Sequence, residues 1–257
     1  MSPRWFLTPR WIFATLAIVA VSATCIRLGI WQLDRLEQRR SFNAQVERGR
    51  RAAPVPVREL VPEGRVAAEE SAAYRRVRAI GTYQTDRGFI LFGRTLEGRP
   101  GNHVLTPLEL PDGEVLLVDR GWVPIELDQP PVAQALPPRG TVEVAGVLVP
   151  SEEGEGPDES GIVGAIDVSS IGEALGEATL PMYLLLEQQV PPQPGELPEP
   201  VLLPALSEGP HLSYAVQWFI FASIALIGFG VILRKAAREQ RRRDRPERGS
   251  IIRKAST

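Results

Sequence analysis

Two histidines, His103 and His211, and one cysteine, Cys25, are the few side chains here that suit metal or nucleophilic chemistry near neutral pH. One cysteine excludes an intrachain disulfide and any CxxC redox or zinc motif. The same count excludes a closed Cys/His metal site. No G-x-S-x-G elbow, phosphate loop or HExxH motif is present either. We therefore do not expect an enzyme.

The chain contains three charged segments whose net charges nearly cancel. Residues Met1–Arg51 carry a net charge of +6, residues Ala52–Pro210 carry −15, and residues Arg234–Thr257 carry +7. The basic residues lie at the ends of two apolar runs, as in a membrane protein whose flanks meet anionic lipid. A nucleic-acid-binding protein would carry its positive charge on the folded domain, which is acidic here, so no nucleic-acid partner is expected.

Two segments are long and apolar enough to span a bilayer. Residues 11–33 contain one charge, Arg27, and residues 211–233 end at Arg234-Lys235. About 20 residues are needed to cross the hydrocarbon core, so both are predicted to be transmembrane helices. Interfacial tryptophans support the same prediction; they are Trp5, Trp11, Trp31 and Trp218.

The first apolar segment has an alternative interpretation as a cleaved signal peptide. Arg4 and Arg10 precede it, and Val21-Ser22-Ala23 is an acceptable cleavage site. The apolar pattern continues through Trp31, which favours an uncleaved anchor. The basic residues after the second segment predict that both termini are cytoplasmic and that the acidic domain lies outside the cell membrane.

The intervening sequence predicts an extracytoplasmic, mostly-β domain at residues 74–190. Turn chemistry separates the apolar runs, most clearly at Pro111-Asp112-Gly113. Six strands are predicted, at Tyr74–Tyr83, Phe89–Thr95, Asn102–Leu110, Glu114–Asp119, Thr141–Val149 and Met182–Gln189. One short helix is predicted at Ser169–Leu175, capped by Ser169 or Ser170. These elements favour an antiparallel barrel or sandwich.

The remaining segments are expected to connect these parts. Residues 1–10 form a cytoplasmic N-terminus, and residues 34–73 form a helix extension followed by a linker with little structure. Residues 191–210 form a proline-rich tether, and residues 234–257 form a basic cytoplasmic tail.

Four blocks of the sequence resemble the surfeit locus protein 1 family of cytochrome c oxidase assembly factors. They occur in the family's order and in the right relation to two apolar segments; they are Leu28–Leu36, Tyr74–Tyr83, Arg94–Pro124 and His211–Phe219. The resemblance implies two membrane helices flanking a β-rich domain without catalysis. It also implies a role in inserting haem a into oxidase subunit I, with haem a synthase as a further partner.

The resemblance identifies His211 as the candidate axial ligand of haem a. Neutral imidazole is a common ligand of haem iron, and Tyr214 and Trp218 follow His211 on the next helical turns. Arg120 is a weaker candidate, as a partner of a haem propionate. Many relatives have Asn where this chain has Pro210, and Asn is also common at the position of Asp119.

Two other interpretations remain open at this stage. The protein could be a membrane-tethered module that binds an extracytoplasmic ligand, or a scaffold that docks subunit I without contacting haem. His103 lies in a predicted strand and is interpreted as a satisfied polar residue. Trp122 is expected in the β core or at its membrane-facing rim, and Gly121 is expected in a turn.

Overall fold

The computed structural model describes residues 8–62, 69–203 and 206–243, which belong to two compact units. One unit combines Met1–Ser41 with Ser207–Thr257, and the other is Phe42–Leu206. Predictions for residues 1–7, 63–68, 204–205 and 244–257 lie outside the described residues. These include the interfacial role of Trp5 and most of the basic tail.

The first unit contains two long helices, and the first of them continues along the chain into the second unit. Helix α1 is Pro9–Arg51 and helix α5 is His211–Arg243. Both are long and apolar enough to cross a membrane, and most of their apolar side chains are exposed. A helix that exposes apolar residues on most of its surface suits a lipid environment rather than a water-soluble fold.

In the second unit the last residues of α1 are followed by short elements that the sequence did not predict. Strand β1 is Val55–Pro56, helix α2 is Val57–Leu60, and helix α3 is Glu69–Ala72. Val57 and Val61 are buried in the core of this unit. The prediction of a linker with little structure is therefore wrong here, because its few apolar residues are spaced to pack against the sheet.

The predicted mostly-β domain between two apolar helices is confirmed. Its strands and the remaining helix are β2 (Arg76–Tyr83), β3 (Phe89–Leu96), β4 (Arg99–Glu109), β5 (Val115–Pro124), β6 (Thr141–Pro150), β7 (Ile162–Val163), α4 (Val168–Leu175) and β8 (Met182–Val190). Helix α4 is capped by Asp167, whose carboxylate accepts from the backbone of Ser169 and Ser170. The prediction that a serine caps it is wrong, because Asp167, two residues before Ser169, accepts both bonds.

Five of the strands close into a small barrel. Around the ring they follow the order β2, β6, β8, β5, β4, and a short β4–β2 pairing, in which Tyr83 lies beside Leu108, closes it. The ring can also be followed in the other direction, from β2 through β4, β5, β8 and β6 back to β2. When the five strands are numbered by their place in the chain, this order is 1-2-3-5-4-1, as in small OB-type barrels.

The barrel sheet is mixed rather than antiparallel throughout. Strands β5 and β8 run parallel, with Val118 beside Leu184, while β6 is antiparallel to β8. The chain returns through β6 before β8 is added, so β8 runs in the same direction as β5. Parallel neighbours cannot be joined by a hairpin, which is why local turn signals did not reveal this pair.

Strand β5 is buried on both faces, which explains its uninterrupted apolar run. Leu116 and Val118 pack inside the barrel, whereas Val115 and Leu117 pack against the cluster that contains α4. Successive side chains of a strand point to opposite faces, so a strand covered on both sides needs apolar residues at every position.

Gly121 lies inside β5 rather than in a turn, contrary to the prediction. Its φ is +128°, and a Cβ atom there would lie 2.2 Å from the carbonyl oxygen of Glu199. The next residue, Trp122, exchanges two backbone hydrogen bonds of 2.8 Å with Glu199. Part of the proline-rich tether is therefore attached to the sheet.

We predict that Gly121→Ala destabilises the protein by about 3 kcal/mol, because it combines a strained φ with a backbone clash. The measurement is denaturant unfolding of the full chain in detergent, followed by tryptophan fluorescence. Gly164→Ala is the matched control, since no atom lies within 4 Å of a Cβ built there. Equal stability of the two variants would contradict the prediction.

Candidate functional site

His211 is the first residue of α5, and its ring is held by a residue of α1. The Nδ1 atom lies 2.8 Å from Oε1 of Gln32. An amide oxygen only accepts hydrogen bonds, so Nδ1 carries the proton and donates it. In that tautomer Nε2 keeps its lone pair, which is the state in which imidazole binds a metal.

Small residues bring the two helices together below this contact. Ser22, Cys25 and Gly29 form a buried stripe on α1 with spacings of three and four residues, and Ala215 and Ala222 are buried on α5. Residues at this spacing share one helix face, and small side chains allow close approach.

Gly29 shows how close that approach is. A Cβ atom on Gly29 would lie 2.8 Å from the ring of Phe219. Gly29 is one helical turn before Gln32, and Phe219 is two turns after His211, so the same packing fixes the partners of the hydrogen bond.

An ion pair joins the segments just beyond the hydrogen bond. Arg40 contacts Glu208 at 3.0 Å, with side chains 48% and 51% exposed. Solvent screens an exposed ion pair, so such a pair contributes little to stability. The Arg40–Glu208 contact therefore helps to orient the chain before α5 but does not hold the helices together.

Tyr214 and Trp218 lie on the same face of α5 as His211. Their offsets of three and seven residues place all three within one stripe of the helix. Tyr214 is 47% exposed, and the Trp218 ring contacts Phe221 edge to face at 5.9 Å. Beside the histidine this stripe offers aromatic surface suited to a flat, apolar ligand.

Arg120 belongs to the barrel unit, where it is buried. Its guanidinium donates to the carbonyl of Ala135 at 2.6 Å and to the side chain of Gln193. The Tyr83 ring lies 5.4 Å from the guanidinium carbon. Burial lowers the pKa of Arg120 to about 10, so it remains charged at neutral pH.

His103 is a satisfied polar residue, as predicted from its place in a strand. Its Nδ1 lies 2.8 Å from the carboxylate of Asp119, and both side chains are largely buried. The other oxygen of Asp119 accepts from the backbone of Gly121. Trp122, expected in the β core, is 2% exposed and lies there.

Sequence reasoning missed Gln32 as the partner of His211. The two residues are 179 positions apart, and no local pattern links a glutamine in one apolar segment to a histidine at the start of another. Within the described residues, no group of three or more His, Cys, Asp or Glu side chains is arranged to hold a metal ion.

We predict that Gly29→Leu separates the helices and frees His211. The added side chain would meet the Phe219 ring, and the hydrogen bond to Gln32 would be lost. Modification by diethylpyrocarbonate, read by mass spectrometry, should become several-fold faster at His211 and stay unchanged at buried His103. Gly228→Leu, placed in open space, is the control. Unchanged reactivity of His211 would refute this packing.

Comparison with known proteins identifies the family of this chain. The model of the SURF1 family matches residues 19–223. An uncharacterized SURF1-like protein of Mycobacterium bovis is 32% identical over 251 residues, covering 93% of this chain and 89% of its own length. A SURF1-like protein of Rickettsia felis is 25% identical over 228 residues, covering 86% of this chain and 96% of its own. This chain therefore belongs to the SURF1 family.

Proposed function

We propose that this protein is a cytochrome c oxidase assembly factor that assists the insertion of haem a into oxidase subunit I. Family membership supports the assembly role, since the SURF1 family is known for oxidase assembly factors. The observation that carries the haem proposal is the His211 imidazole, whose Nδ1 is engaged by Gln32, while no hydrogen bond to Nε2 is found among the described residues. In this proposal the protein is a chaperone and not an enzyme.

The residues present fit a haem with one protein ligand. When bound, haem would supply an iron atom that accepts an imidazole nitrogen. His211 would provide Nε2, and Tyr214 and Trp218 would provide aromatic surface along the same stripe. A cofactor that must be passed on has to dissociate again. One protein ligand on an exposed helix face releases it more readily than two ligands in an enclosed pocket would.

Gln32 would position the ligand. Metal-bound histidines usually donate their other N–H to an acceptor, which fixes the tautomer and the ring orientation. The 2.8 Å contact between Nδ1 and Gln32 is of this kind. Because Gln32 is neutral, it orients the ring without adding a charge that would tighten binding and hinder release.

The proposal places the protein in the cell membrane, with α1 and α5 as the two spans. Both helices are apolar, and most of their large apolar side chains are exposed. The charge pattern favours cytoplasmic termini and an extracytoplasmic barrel unit. A lipid-soluble cofactor would then reach His211, at the start of the second span, from within the bilayer.

Fusions to alkaline phosphatase, which is active only outside the cytoplasm, test this topology. A fusion after Thr257 should be inactive, and a fusion after Glu208, before the second span, should be active. The reason is the strongly basic segment that follows α5. Activity at Thr257 together with inactivity at Glu208 would reverse the proposed orientation.

The haem proposal predicts the behaviour of His211→Ala. The full chain, co-expressed with enzymes that make haem a, should purify with haem a, and His211→Ala should lose it. In a strain lacking this protein, the haem a bands of the oxidase should fall and should be restored by the wild-type chain but not by His211→Ala. His103→Gln, which removes the other histidine, is the matched control.

The variants at Gln32 refine the same experiment. Gln32→Leu should weaken haem binding by about tenfold, since loss of such an acceptor typically costs 10–100-fold in metal affinity. Gln32→Glu keeps an acceptor and should retain the cofactor. Normal oxidase with unchanged haem a bands in the deletion strain would sink the assembly role. Restored oxidase with His211→Ala would instead favour a scaffold that does not contact haem.

A further inference from the structure

One flank of α1 and one flank of α5 border the same groove of the helix pair. Gln32 and His211 are in contact, so the sides of the two helices that carry them meet. Arg39 lies seven residues after Gln32, which is about two helical turns and therefore the same side of α1. The buried stripe of α1 lies on the other side of Gln32, so Arg39 flanks the groove rather than the packed interface.

Arg39 is an exposed cation on this flank, and the arginines beside it are already engaged. Arg35 donates to the side chain of Gln38 at 2.8 Å, and Arg40 is paired with Glu208. Arg39 makes no hydrogen bond or ion pair with the other described residues. Its guanidinium therefore keeps its five N–H donors for a ligand or for water.

The surroundings of Arg39 favour an anion beside His211. The Cα–Cβ bond of a helical residue tilts toward the helix N-terminus, so the side chain of Arg39 leans back toward Gln32. Helix α5 begins at His211, and the N-terminus of a helix carries partial positive charge. Glu37 and Asp34 are two and five positions before Arg39, spacings that place them on other faces of α1. This end of the groove is therefore electropositive.

We propose that Arg39 binds a propionate group of the haem whose iron is ligated by His211. The inference rests on the proposed function, because it takes haem as the ligand of His211. A guanidinium matches a carboxylate with two parallel, charge-assisted hydrogen bonds, which are stronger than neutral ones. Arg120, which the sequence suggested for the same role, is 3% exposed and leaves little surface for a carboxylate.

The separation of Arg39 from His211 suits the shape of haem. The iron lies at the centre of the ring and both propionates lie at one edge, so the metal ligand and the propionate partner must stand apart. Arg39 lies about 10 Å farther along α1 than Gln32, which holds His211. Tyr214 and Trp218 lie in the opposite direction, farther into the apolar part of α5. Arg39 would therefore turn the propionate edge toward the aqueous end of the groove and leave the apolar edge against the aromatic stripe.

The test compares haem b, which shares the iron and the two propionates of haem a, with its dimethyl ester, in which both carboxylates are blocked. The full chain is purified in detergent without haem and titrated with each compound, and binding is followed by the shift of the Soret absorption band. Arg39→Gln should weaken the binding of haem b by about tenfold, because the charge-assisted contact is lost. The same variant should bind the dimethyl ester as tightly as the wild type does, which also shows that it is folded.

Three further variants assign the effect to the Arg39 guanidinium. Arg39→Lys keeps the positive charge and should recover part of the affinity for haem b. Arg10→Gln removes an exposed arginine at the other end of α1 and should leave both affinities unchanged. His211→Ala should weaken the binding of both compounds to a similar degree, because it removes the ligand of the iron rather than the partner of the carboxylate.

Two results would overturn the role of Arg39 and leave the proposed function intact. One is an unchanged affinity of Arg39→Gln for haem b when His211→Ala has lost it. The other is an equal loss of affinity for haem b and for its ester in Arg39→Gln, which would give Arg39 a structural role. Failure of the wild type to bind either compound would overturn the haem function itself, and the role of Arg39 with it.

Discussion

The architecture of the barrel unit depends on the burial of β5 on both of its faces. One face of this strand fills the barrel and the other packs against the cluster that includes α4. Successive residues of β5 point alternately into the barrel and toward the cluster outside it. The strand therefore connects the closed ring to the elements that pack around it. The same strand carries Asp119, Arg120, Gly121 and Trp122, whose contacts extend to β4, to the segment around Ala135 and to Glu199.

Polar contacts at the end of β5 organise the connecting segments. Asp119 holds His103 and the backbone of Gly121, while Arg120 and Gln193 bind carbonyls of the loop that ends near Leu136. Gln193 also donates to the Leu197 carbonyl at 2.8 Å. Segments rich in proline have few N–H groups of their own, so side chains such as Gln193 supply the donors that fix them.

Local chemistry in the sequence predicts the strands well and their arrangement less well. Gly113 takes a positive φ in the hairpin between β4 and β5, as Pro111-Asp112-Gly113 indicated. The parallel contact of β5 with β8, the pairing of Trp122 with Glu199 and the burial of Val57 could not be predicted, because each joins residues that no turn connects. His211 was found through family resemblance, whereas Gln32 required the packing of two distant helices.

The hydrogen bond between Gln32 and His211 also has a consequence for biosynthesis. Its two halves are 179 residues apart, so α1 is complete long before the histidine has been translated. The tautomer that leaves Nε2 available is therefore set only after the last helix has emerged and packed against the first. A partly synthesised or truncated chain has the glutamine but no oriented imidazole. The orientation of the His211 imidazole is thus a property of the two packed helices together and of neither helix alone.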